Sequence, residues 1–125
     1  MNIEQQKIFQ LVFKELEERI NMLNKETIKL GYQQRNELVS HVYSDYNNDE
    51  KLLNKKSEWE RAVQEHKVTK WIFDLFRDKR DLYGYFENPD DIIKEIRSLI
   101  EQSEEKELYE IAGILKLWYD KLRQT

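Results

Sequence analysis

Glu37, His41 and Asp45 stand four residues apart, a spacing that puts three side chains on one face of an α-helix. Two carboxylates and an imidazole so placed offer three ligands to a divalent ion. The same spacing also describes an ordinary solvated face, because Glu–His and His–Asp pairs at i, i+4 support each other across one turn. No Glu-x-x-His pair of the di-iron bundle type accompanies them. The solvated face is the reading adopted, with no metal site and no cofactor assigned. A small metal-dependent enzyme using these three residues is a second alternative.

Other chemistries find less footing. The chain has no cysteine, which removes thiol nucleophiles and disulfides and suits a reducing cytoplasm. Ser40, Ser44, Ser57, Ser98 and Ser103 lie in no Gly-x-Ser-x-Gly elbow and read as helix surface or caps. Three isolated glycines cannot build a phosphate-cradling loop. Among the carboxylates, Asp90 and Asp91 suit the positive end of a helix, and Glu104, Glu105 and Glu107 suit a solvated surface. His66 reads as a boundary residue with a hydrogen-bond partner. No catalytic residue is assigned, and the chain is expected not to be an enzyme.

Two surfaces are less ordinary. Residues 51–80 hold nine basic and five acidic side chains, whereas the whole chain carries a net charge of −4. That segment makes nucleic-acid binding the first alternative function. Lys70 with Asp74 and Arg77 with Asp81 fall at i, i+4, however, the pattern of a salt-bridge-laced solvent face. The second surface is aromatic. Tyr83, Tyr85 and Phe86 surround Gly84 in a connecting segment, where three rings are not needed by a loop. Either they fold back to close one end of the molecule, or they form a contact patch of the kind that aromatic residues dominate.

The elements that position these residues are helical. Phe9, Phe13, Leu16, Ile20, Leu23, Thr27 and Leu30 alternate steps of four and three, one face of a first helix. It is capped by Asn2 and stopped by Gly31. A second helix spans Tyr32 to Tyr46. Ser57 with Glu60 reads as a capping box, and a continuous or gently kinked helix then reaches about Arg80. The linker 81–88 follows. Asn88-Pro89-Asp90-Asp91 starts the next helix, which carries Ile92, Ile93, Ile96, Leu99 and Ile100, with a break at 103–106. The last helix carries Leu108, Ile111, Leu115, Trp118 and Leu122 on one stripe. Ile114 and Leu117 lie outside that stripe, so its apolar surface is broad enough for contact on more than one side.

Length and composition set the frame. The 125 residues include one proline, 39% hydrophobic and 37% charged residues, and fifteen aromatic rings. This suits one helical domain with a packed core rather than a disordered chain. Nothing approaches the roughly 20 apolar residues of a membrane span. The expectation is an all-α, up-and-down bundle of four to five helices filling residues 1–125, from a bacterial or phage source. Its expected function is that of a non-enzymatic protein–protein interaction module, an accessory, regulatory or inhibitor protein. Tyr83, Tyr85, Phe86, Ile114 and Leu117 are the candidate partner-binding residues, with a homodimer through the last helix as one form of that interaction.

Overall fold

The computed structural model describes residues 3–43 and 49–123, with the side chains of 41–43 and 49–52 outside that description. It is an all-α bundle of four helices: α1 (Ile3–Tyr43), α2 (Asp49–Asp78), α3 (Pro89–Glu105) and α4 (Tyr109–Leu122). Contacts that advance along α1 retreat along α2: Arg19 meets Glu65, and Gln33 meets Lys55. The two helices are therefore antiparallel. Gln5 at the start of α1 bonds Asp90 at the start of α3, and Lys121 near the end of α4 reaches Glu15 of α1. The topology is up, down, up, down.

Four helices is the low end of the expected four to five, and two of the expected helix ends fall inside helices. Gly31 does not stop a helix; α1 runs through it without a break. A side chain on Gly31 would come within 3.4 Å of the Trp59 indole nitrogen, so the glycine serves close approach of α2 rather than termination. Ser57 and Glu60 do not cap a helix either, since α2 already starts at Asp49. The expected continuity from there towards Arg80 is what the structure has, with α2 ending at Asp78.

The core is built at one end. Phe9, Val12 and Leu16 of α1 meet Ile72 and Phe76 of α2, Ile92, Ile96 and Ile100 of α3, and Leu115, Trp118 and Leu122 of α4. The rings of Phe9, Phe76 and Phe86 lie 5.5 to 5.7 Å apart in stacked, tilted and edge-on pairs, the arrangements that aromatic quadrupoles favour. Thr69 is fully buried in the same face of α2, and its hydroxyl has no hydrogen-bond partner among the described residues. Its methyl group fills a position that an apolar count of the sequence passes over.

At about 1.5 Å per residue, α1 is roughly 60 Å long while α3 and α4 span only about 20–25 Å. They cover one half of the α1–α2 pair. Past Leu23 in α1, and before Ala62 in α2, no described side chain is fully buried. The molecule is thus a four-helix head with a two-helix arm.

The α3–α4 corner closes tightly. Pro89 occupies the first turn of α3 with Asp90 and Asp91 beside it, as expected, although the Asn88 side chain makes no capping bond. At the other end the helix continues through 103–105, and the break falls just beyond. Glu107 N–H donates to Glu104 O at 3.0 Å and Leu108 N–H to Ser103 O at 2.8 Å, with Glu107 at φ +60°. This pair of bonds is a Schellman motif with glutamate in the left-handed position that glycine usually takes.

Candidate protein interaction site

The segment between α2 and α3 is a small, heavily tied structure. Arg80 and Phe86 form an antiparallel bridge. One Asp81 carboxylate oxygen accepts from the N–H groups of Tyr83 at 2.8 Å and Tyr85 at 2.9 Å. Gly84, at φ +85°, turns its carbonyl to the Arg80 Nε at 3.1 Å and to the Gln10 amide. The positive φ calls for glycine, and a side chain there would also sit 3.0 Å from the Arg80 guanidinium, which would have to give way. Arg80 also lies 4.8 Å above the Phe13 ring, a cation–π contact.

This scaffold divides the three linker aromatics. Phe86 has no exposed surface and belongs to the core, so it is a closing residue and not a surface that a partner can touch. Tyr83 and Tyr85 remain 86% and 52% exposed, beside Leu82 at 100%. A ring on a tied loop can bring contact area with little ordering cost.

The second feature is a groove of about 800 Å³ between α1, α2 and α4. Met22, Ile114, Leu117 and Trp118 give it an apolar floor. Ile114 and Leu117, the two residues outside the packing stripe of α4, are thus brought together by the fold. Met22 joins them from α1, and both Met22 and Leu117 are more than half exposed. The stripe residues Leu115, Trp118 and Leu122 face the core. This splits α4 into an inner face that holds the head together and an outer face that lines the groove.

The rim is polar and mostly self-paired. Arg19 of α1 grips Glu65 of α2 through two bonds of 2.6 and 2.9 Å. The hydrogen bond that Arg19 donates to Glu65, opposed by partial burial and aided by the Glu65 charge, raises the Arg19 pKa above its ordinary value, so the guanidinium stays charged at every working pH. At the other end Lys121 lies 4.6 Å over the Trp118 ring and 3.0 Å from Glu15. Both pairs hold α1 at a fixed distance from its neighbours. Glu18, Arg61 and Glu110 line the groove as well.

Gly113 lies on the floor, and a side chain added to it would meet nothing within 4 Å. A glycine inside a helix costs about 1 kcal/mol relative to alanine, and no packing among the described residues compensates for that cost. Its effect is to keep the groove open. Gly113, Met22 and the Arg19–Glu65 pair were not singled out from the sequence. A glycine inside an apolar helix is the one signal in the sequence that points there.

The remaining sequence candidates are dispersed. Asp45 and the side chain of His41 lie outside the described residues, so the Glu37–His41–Asp45 set falls outside them too. Several basic side chains of the 51–80 segment pair with acids: Lys55 with Glu58, Arg77 with Asp74 and Asp78, and Lys79 with Glu95 of α3. Arg77 meets Asp74 and Asp78 rather than Asp81, whose carboxylate turns into the loop. No described helix is long and apolar enough to cross a membrane. Comparison with protein-family models, with curated proteins and with solved structures finds no match.

Proposed function

We propose that this chain is a non-enzymatic protein–protein interaction module that receives an apolar segment of a partner protein in the groove between α1, α2 and α4. The observation that carries this reading is Gly113, a helix-weakening residue that no contact among the described residues requires and that leaves the groove floor clear. The dimensions support it. An open trough with an apolar floor and a charged rim suits the apolar face of an amphipathic helix, and Ile114, Leu117 and Met22 are the side chains it would cover. The exposed Tyr83 tip offers a second point of contact. Accessory, regulatory and inhibitor proteins all work this way, through surface rather than through a reacting group.

The nucleic-acid alternative has weaker support. Three of its nine basic residues, Lys55, Arg77 and Lys79, stand in ion pairs with neighbouring acids, which lowers the charge that this face offers to phosphate.

The test is affinity capture from the source lysate with the full chain and with Leu117→Glu. Leu117 is exposed, so the variant keeps its fold, as circular dichroism would verify. The interaction reading expects a protein recovered by the parent chain with or without nuclease treatment and lost with the variant. Recovery that depends on nucleic acid, or that ignores Leu117→Glu, goes against it.

A further inference from the structure

The arm carries a largely apolar stripe, interrupted by one arginine, that its own partner helix does not cover. Ile28, Tyr32, Arg35 and Val39 follow one another by four, three and four residues, the heptad spacing of a helix–helix seam. At 100° per residue the four lie within about 60° of one another on α1. Leu23 and Leu30, which face α2, lie roughly opposite. Ile28, Tyr32 and Val39 are all exposed, and α3 and α4 are too short to reach them.

We infer that a second copy of this chain covers the stripe, with the two α1 helices antiparallel about a two-fold axis between residues 33 and 34. The chemistry of the stripe fits itself in that orientation. Ile28 of one copy meets Val39 of the other, apolar against apolar. Arg35 meets Tyr32, and an arginine over a tyrosine ring is already the local arrangement within one chain, at 5.9 Å. A parallel pair would set Arg35 against Arg35 and Lys25 against Lys25, two like-charge oppositions that disfavour it. Beside the stripe, the missing side chain of Gly31 leaves a notch of about 440 Å³ floored by Trp59. The exposed Leu38 of the second copy comes alongside that notch in the antiparallel pair, a knob facing a hole. From Ile28 to Val39 the contact spans about 16 Å of helix. It is a small interface by the standard of permanent dimers, so the pair is reversible. It uses a different surface from the groove and stands or falls separately from it.

The absence of cysteine makes the test clean, because any cross-link is one that was introduced. Sedimentation equilibrium of the full chain, up to about 0.5 mM, should show a monomer–dimer equilibrium. Tyr32→Glu should shift it at least tenfold towards monomer, and Leu117→Glu should leave it unchanged. On mild oxidation, a mixture of Ile28→Cys and Val39→Cys chains should form a mixed disulfide dimer, whereas Ile28→Cys alone should not. In the antiparallel pair two copies of position 28 lie about 16 Å apart along the axis, beyond the reach of a disulfide. A monomer at all concentrations, a dimer abolished by Leu117→Glu but not by Tyr32→Glu, or equal cross-linking of Ile28→Cys with itself would each overturn the assignment.

Discussion

Gln6 and Phe86, eighty positions apart, exchange two hydrogen bonds. The Gln6 amide donates to the Phe86 carbonyl at 2.6 Å and accepts from the Phe86 N–H at 3.0 Å. A buried glutamine side chain thereby does what a neighbouring β-strand would do for that residue's backbone. It fixes where the linker crosses the open end of the head, which in turn fixes where Tyr83 stands. Gln6→Leu would leave both backbone groups of Phe86 buried without partners, each costing about 1–3 kcal/mol. A loss of about 2–4 kcal/mol in urea unfolding is expected. A loss below about 1 kcal/mol would mean that water replaces the amide.

The linker aromatics should separate sharply under mutation. Phe86→Ala empties a site among Phe9, Phe13 and Phe76 and should cost about 3–5 kcal/mol. Tyr83→Ala removes an exposed ring and should change stability by less than about 0.5 kcal/mol. Calorimetric melting of the two variants checks this directly.

Thr69 places a hydroxyl in the core with no partner among the described residues. Thr69→Val exchanges it for a methyl group of nearly the same shape. The burial penalty is relieved, and stability should rise by about 1 kcal/mol. An unchanged or lower unfolding midpoint would show that the hydroxyl finds a partner in solution.

Glu107 holds a left-handed conformation at the negative end of α3, whose last turn has no basic residue. Backbone strain and helix dipole act against it together. Glu107→Gly should stabilise the protein by about 1 kcal/mol, and the dipole share of the gain should shrink at high salt. Denaturation in low and high salt separates the two contributions.

The architecture was legible in the sequence because local signals agree with it. The 3.6-residue stripes of Phe9–Leu23 and Leu115–Leu122 became the core faces, and Asn88-Pro89 marked the start of α3. The misreadings share one cause. Gly31 and the Ser57–Glu60 pair carry genuine terminus chemistry, yet both sit inside helices that packing sustains. The sequence shows the freedom of Gly31 and not the Trp59 ring lying over it. Thr69 was passed over because a threonine's methyl and hydroxyl compete, and only the neighbours decide between them. For the candidate site, Ile114 and Leu117 stood out as off-stripe residues. The approach of Met22 and the Arg19–Glu65 clasp depend on how α1 crosses α4, which no local pattern encodes. Tyr83 and Phe86 are three residues apart and similar in type, and their opposite fates follow from the Asp81 and Gln6 bonds.

The groove is tested most directly by filling it. Gly113→Leu adds a helix-favouring side chain where nothing stands within 4 Å, so the unfolding midpoint should be equal to or above that of the parent. Quantitative capture from one lysate with the parent chain and with Gly113→Leu is the decisive comparison. The account predicts that the protein partner recovered by the parent falls at least tenfold with the variant while the fold is retained. Equal recovery by the two chains would contradict it.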